Sequence, residues 1–364
     1  MSDHLYSTFL KYVSGRQTKA VQTAENFALG SAVGSVRSRN EDVSLVLSTQ
    51  LAGRPERDFT LALVCDGMGG MKEGQAAAQM AASAFAAQMV RGAFYGKPAA
   101  QLALALKVAQ DQVYSALHGA GGTTLSAIYV DSSSTAWLAH VGDTRIYAWE
   151  EEGFLTQLTR DDTMAAALKQ IGEGRPDGNR LIQFIGIEDG ADPQILPIET
   201  DGLRGFLLTT DGAHAGPETL LDSIAQHARG PTDLVRKLLT LADMLGGIDN
   251  ATAVHVPAGR TEVSSATGWD SILSTIISVS GEHDLCLQLL PGGPRADHYQ
   301  SEVSPVREYS ERPANTARQA PKARASRKRS AAKPKSERDD PNRLPLEMKP
   351  EIKLDFSDDE GQPT

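Results

Sequence analysis

Between Thr123 and Leu158 four β-prone runs follow one another so closely that no helix fits between them: Thr123–Val130, Thr135–Val141, Arg145–Trp149 and Phe154–Leu158. Parallel neighbours need a crossover of a dozen or more residues, so these strands must pair antiparallel through tight turns. That argues against a strict βαβ repeat, and the rest of the chain has to build around hairpins. Further strands are expected at Val43–Ser48, Phe59–Cys65, Gly205–Thr209 and Thr252–Val256, apolar runs bounded by Gly, Asp or Pro. Longer, often Ala-rich runs predict helices at Gly74–Val90, Ala99–Leu117, Thr163–Ile171, Pro217–His227 and Thr232–Leu245, three of which open near Pro or a Thr/Asp cap. The fold class is α+β.

With 40% hydrophobic residues in 364, the chain has ample material for a core, and no run of 18 apolar residues offers a membrane span. Met1 to Gly15 lacks the apolar stretch of a secretory signal. The two cysteines, Cys65 and Cys286, lie far apart in unlike contexts and make neither a disulfide framework nor a metal knuckle. A cytoplasmic protein is expected. Residues 301–364 hold 14 basic and 12 acidic side chains, which leaves 22 basic against 34 acidic in the rest. An acidic body argues against general nucleic-acid binding and suits a carboxylate-lined cation site. The expected organisation is an N-terminal extension (1–25), a main domain (26–260), a small appended segment of helix or strand (261–292) and a disordered charged tail (293–364). The tail has a basic block at 318–335, with eight basic and no acidic residues, and an acidic end at 351–360. Without interleaved aromatics, the block does not say whether it meets an acidic partner, nucleic acid, an anionic membrane or only solvent.

The acidic residues of the main domain sit at strand ends. Val64-Cys65-Asp66-Gly67-Met68-Gly69-Gly70 and Leu208-Thr209-Thr210-Asp211-Gly212 each run from an apolar strand into Asp-Gly. Val141-Gly142-Asp143-Thr144-Arg145 puts an Asp in a tight turn, Gly247-Ile248-Asp249-Asn250 puts one before the last core strand, and Asn40-Glu41-Asp42 precedes Val43–Ser48. Any one alone is ordinary turn chemistry. Several carboxylates at strand ends of one sheet system would repel strongly unless a cation sat among them. Hard oxygen donors without Cys or His pairing favour Mg²⁺ or Mn²⁺ over zinc, and the eight histidines are dispersed.

In order, these pieces, with Gly34-Ser35-Val36-Arg37-Ser38-Arg39-Asn40-Glu41-Asp42, Gly121-Gly122-Thr123-Thr124 and Leu158-Thr159-Arg160-Asp161, resemble the metal-dependent PP2C (PPM) family of protein serine/threonine phosphatases in its bacterial form. The resemblance spans about 230 residues and implies a four-layer α-β-β-α sandwich with metal ions at one end. It implies that Asp66 bridges two ions, Mn²⁺ or Mg²⁺, that the Gly67 carbonyl adds a ligand to one, and that Asp211 and Asp249 bind the other. Glu41 would act on the Gly67-side ion through water, Asp42 would orient waters on the metals, and Asp143 would share a third ion with Asp211. Arg37 would clamp the substrate phosphate, its planar fork suiting that task better than Lys. The implied reaction is hydrolysis of phosphoserine and phosphothreonine by a metal-bridging hydroxide, opposing a cognate Ser/Thr kinase on its substrates.

The chain departs from the family's usual pattern at Met71, Gln75, Asp162, Arg175 and Ala213–Pro217, none of them an expected ligand. These departures bear on the proton donor and on substrate preference. His140 and His214 flank the Asp143 and Asp211 turns, but a histidine at an apolar strand end is more often packed than catalytic. The rival reading is a catalytically weak relative that binds phosphoproteins as a regulator. The intact set of Asp66, Gly67, Asp211, Asp249, Glu41 and Arg37 favours the enzyme.

Overall fold

The computed structural model describes residues 4–14, 22–24, 27–170, 180–259, 274–279 and 284–289. The expected tail and the departing Arg175 lie outside them. Helix α1 (His4–Ser14) leads into strands β1 (Gln22–Ala24), β2 (Phe27–Ala32), β3 (Val43–Gln50) and β4 (Phe59–Cys65). Helices α2 (Gly74–Gly92) and α3 (Pro98–Leu117) precede β5 (Leu125–Asp131), β6 (Ala136–Val141), β7 (Arg145–Glu150) and β8 (Leu155–Gln157). After α4 (Met164–Gln170) come β9 (Gln194–Ile198), β10 (Leu203–Thr209), α5 (Glu218–Gln226), α6 (Pro231–Met244) and β11 (Ala251–Pro257). A final hairpin is formed by β12 (Ser274–Val279) and β13 (Asp284–Leu289).

Two antiparallel sheets result, one ordered β1-β2-β11-β10-β7-β8 and the other β13-β12-β3-β4-β5-β6-β9. The sandwich follows from how the strands split their side chains. In β4, Leu61, Leu63 and Cys65 join the core beneath α1, α2 and α3, while Ala62 and Val64 join the core between the sheets. A third core, with Tyr147, Trp149 and Leu207, lies under α5 and α6. Seven alanines of α2 are buried, because the helix is pressed between α1, α3 and its sheet, and small side chains permit that approach. The expected antiparallel strands and four-layer order are all present.

Some elements differ from expectation. Thr123 is not in a continuous strand but makes isolated bridges to Gly67 and Ile185. The appended region supplies strands, β12 pairing with β3. Part of the expected N-terminal extension, α1, buries Phe9 and Val13 against the sheet-side core. Among the described residues no helix is long and apolar enough to cross a membrane.

Candidate active site

Strand register brings the carboxylates to one end of both sheets. β3 begins opposite the end of β4, Val43 pairing with Cys65, so Asp42 and Asp66 leave the sheet side by side. In the other sheet Thr209 pairs with both Ala253 and Arg145. The Thr210-Asp211 turn therefore lies between the segment leading from Asp249 into β11 and the Gly142-Asp143-Thr144 turn. Sequence positions more than 200 apart become neighbours because these four strand ends coincide.

A polar frame holds them. The Asp66 N–H donates to Thr124 Oγ1 at 2.9 Å, and the Asp66 carbonyl accepts from the Thr123 hydroxyl at 2.7 Å and the Thr124 N–H at 2.9 Å. Gly67 donates its N–H to the Glu41 carbonyl at 3.3 Å, and a Cβ there would stand 2.6 Å from the Gly74 carbonyl oxygen. Only glycine allows that approach. Asp42 Oδ2 accepts from the hydroxyls of Thr252 (2.6 Å) and Thr210 (3.0 Å). With the Thr252 proton committed to Asp42, the Ser31 hydroxyl donates to Thr252 at 2.7 Å, and the Asn40 amide donates to Ser31 at 2.7 Å. Asn250 ties the loops together, accepting the Glu41 N–H at 2.9 Å and donating to the carbonyls of Val33 and Arg39.

The electrostatics follow from burying like charges. Burial first, and then Asp42, Asp211, Asp143 and Asp249, hold Asp66 well above the usual carboxylate range. Asp211 is raised by burial and by Asp249, and Asp42 by burial despite its two hydroxyl donors. Burial, with Asp211 and Asp161, pushes Asp143 up to about 7. Arg37 donates to Asp249 Oδ2 at 2.6 Å, and its guanidinium lies against Gly69, where a Cβ would collide with it. That ion pair holds Arg37 above its ordinary value, and its side chain remains 37% exposed. Glu41 adds to the field on Arg37, with its carboxylate beside Gly74.

The expected residues thus gather, but they do not close a ligand shell: among the described residues no three carboxylates, imidazoles or thiols meet around one point. Asp249 is turned toward Arg37 instead, the nearest positive charge available to it. The donor set nonetheless fits a hard divalent cation. It consists of oxygens, the carboxylates are raised by burial and by mutual repulsion that a cation would relieve, and Asp42 Oδ1 is buried without a hydrogen-bond partner among the described residues.

The two histidines are packed, as expected. His140 is fully buried between Ser126 Oγ (2.7 Å) and the Arg160 carbonyl (3.2 Å), and burial lowers it to about 4. His214 meets Thr209 Oγ1 at 2.8 Å and is lowered by burial to about 3. Three of the departures have structural roles. Asp162 Oδ2 accepts the Gly142 N–H at 3.0 Å and the Asp162 N–H donates to the Gly142 carbonyl at 2.7 Å, which fixes the turn carrying Asp143. Gln75 donates to the Asn40 carbonyl at 2.9 Å, and the Met71 N–H closes the glycine turn onto Met68 O. Sequence reasoning missed the frame of Ser31, Thr124, Thr210 and Thr252, whose only local signal is Thr210 beside Asp211.

The protein phosphatase 2C profile matches residues 48–245. The serine/threonine phosphatase stp of Listeria monocytogenes serotype 4b is 28% identical over 253 residues, 63% of this chain and 94% of that one. The serine/threonine protein phosphatase PstP of Mycobacterium tuberculosis is 30% identical over 242 residues, 63% of this chain and 44% of that one. Among solved structures, the Mycobacterium tuberculosis phosphatase PstP/Ppp superposes with a TM-score of 0.53 at 26% identity, covering 66% of this chain and all of that one. The catalytic domain of PstP in complex with two manganese ions gives 0.51 at 28% identity, covering 63% and 96%. The shared sandwich, the ordered strand-end carboxylates and a profile match over more than half of the chain show that the chain belongs to the protein phosphatase 2C family of metal-dependent protein serine/threonine phosphatases.

Proposed function

We propose that this chain hydrolyses phosphoserine and phosphothreonine in proteins at the joined strand ends, using two or three divalent ions, Mn²⁺ or Mg²⁺. The observation that carries the proposal is the convergence of Asp66, Asp211, Asp249 and Asp143 on one end of the sandwich with Arg37 among them. Asp66 and the Gly67 carbonyl would hold one ion, with Glu41 acting through water. Asp66, Asp211 and Asp249 would hold the other, and Asp143 with Asp211 a third. When bound, such ions supply Lewis acidity, turning water into hydroxide at neutral pH and neutralising phosphoryl charge.

The chain's own residues do the positioning. Arg37 is partly exposed and paired through one fork nitrogen, so an incoming phosphate dianion can take over its planar donors from Asp249. Asp42, fixed by two hydroxyls on one oxygen, keeps its other oxygen for orienting water beside the ions. The threonines and Asn250 keep the carboxylates from moving apart under their own repulsion. The partners would be phosphoproteins and the kinase that makes them.

The test is hydrolysis of a phosphothreonine peptide and of p-nitrophenyl phosphate with Mn²⁺, Mg²⁺ or EDTA, comparing wild type with Asp211→Ala. Metal-dependent turnover that disappears in the variant is expected. A folded wild type at background with saturating Mn²⁺ would sink the reading and leave a phosphoprotein-binding regulator.

A further inference from the structure

Exposed apolar side chains cluster beside Arg37 and Asp249. Val36 is 68% exposed and Ile248 69%, each one residue from one of that pair, and Met244 and Leu245 are exposed at the end of α6. These side chains are held there by a bonded frame. The N–H groups of Ser35 and Val36 both donate to the Gly247 carbonyl, at 2.7 and 3.2 Å, while Gly246 and Gly247 bond back to the carbonyls of Asp243 and Ala242. Behind this lip, between the Arg37 loop and α6, lies a cleft of about 640 Å³ whose walls include Ala32, Val33, Leu239 and Ala242, with Asp249 and Arg236 also lining it. Its size is that of a ligand pocket, and its lining mixes these apolar groups with Ser38, Thr240 and Asp243.

We propose that this cleft and its lip receive an apolar side chain of the phosphoprotein substrate, within about two residues of the phosphorylated Ser or Thr; the proposal rests on the phosphatase reading above. Asp249, which pairs with Arg37, also lines the cleft, so a phosphate on Arg37 sets the substrate chain at the cleft's edge, and at about 3.3–3.6 Å per residue the nearest neighbouring side chains are those that meet the lip. The opposite side of the carboxylate cluster differs. There a cavity of about 710 Å³ is lined by Asp143, Asp161, Asp211 and Glu218 against one cation, Arg145, so it repels an acidic side chain, and its apolar groups are small (Ala165, Ala166, Ala215 and Pro217). The two flanks therefore give the site a polarity along the substrate chain. The lip is too small to serve a second copy of the protein, since four side chains fall well short of the roughly 800 Å² per partner of a stable interface.

The test compares phosphothreonine peptides that carry Leu or Ser at the two positions on either side of the phosphoresidue. Each is assayed with Mn²⁺ on the wild type and on a Val36→Ser/Ile248→Ser double variant. In parallel, labelled non-hydrolysable phosphonate versions of the same peptides are titrated by fluorescence anisotropy. The expected result is a preference for Leu of about tenfold, in kcat/KM and in Kd, the lower end of what a hydrophobic contact discriminates. The double variant reduces that preference to less than about twofold. Equal handling of the Leu and Ser peptides by the wild type, or a preference untouched in the double variant, overturns the proposal. A Leu preference in Kd without turnover of any peptide or of p-nitrophenyl phosphate would uphold the docking cleft and overturn the phosphatase reading.

Discussion

Replacing Asp143 by Asn is expected to stabilise the metal-free protein, and to do so increasingly as pH rises. In the fold Asp143 titrates at about 7 against an ordinary value of 3.8, raised by burial and by Asp211 and Asp161. A carboxyl with a raised folded pKa gives stability that is intact below 3.8 and lost as pH rises from 3.8 to about 7, since the unfolded chain releases the proton first. At about 1.4 kcal/mol per unit, the full gap of about three units is worth roughly 4 kcal/mol, an upper bound because this turn is partly open to water. A gain of about 2–3 kcal/mol for Asp143→Asn at pH 8 is the working figure. The assay is urea unfolding of EDTA-treated wild type and variant at pH 5 and pH 8. The difference between the two proteins cancels the opposing titration of buried His140 and His214, whose lowered values cost stability below pH 6.5. The variant's advantage should be larger at pH 8 than at pH 5 by roughly 2 kcal/mol. Saturating Mn²⁺ should shrink or reverse it, because a bound cation stabilises by mass action the fold that keeps Asp143. A difference that is absent, or the same at both pH values, would refute the claim that the cluster is held together against its own repulsion.

Other perturbations separate the roles of individual residues. Arg37→Lys keeps the charge but loses the fork, and kcat/KM for a phosphothreonine peptide should fall about 10–100-fold in Michaelis–Menten assays with Mn²⁺. His214→Gln should retain turnover within about threefold at pH 7.5, because a buried imidazole lowered to about 3 is neutral there and is not the imidazolium acid; a loss of about 100-fold or more would instead mark it as an acid catalyst. Phe9→Ala, at a fully buried position of α1, should cost about 3–5 kcal/mol in chemical denaturation if α1 is an integral part of the core.

What was legible in the sequence was what local chemistry encodes. Apolar runs such as Phe59–Cys65 and Gly205–Thr209 end in Asp and turn residues, so strand, strand end and acidic group could be read together. The less visible elements have weak local patterns. β2 reads Phe-Ala-Leu-Gly-Ser-Ala, small residues that become a strand only because β11 pairs along them. β9 contains Pro197, which an edge strand tolerates and a sequence pattern argues against. In the 261–292 stretch, apolar spacing suited either helix or strand, and pairing with β3 decided it. The hydroxyl frame around Asp42 was hidden for a different reason: its donors Thr210 and Thr252 lie 168 and 210 residues away, and threonine in a strand is explained by β propensity alone. The pairing of Asp249 with Arg37 was equally unreadable, since both were assigned to other partners.

The central claim is that these strand-end carboxylates form a metal centre and that the metal centre is the phosphatase. It is tested most directly by titrating EDTA-stripped protein with Mn²⁺ in a calorimeter and assaying phosphothreonine-peptide hydrolysis on the same samples, for wild type and Asp66→Asn. At least two ions per chain should bind the wild type, with turnover rising as they bind, and the variant should lose both together. Hydrolysis that persists in the metal-stripped protein, or full Mn²⁺ binding by Asp66→Asn, would contradict it.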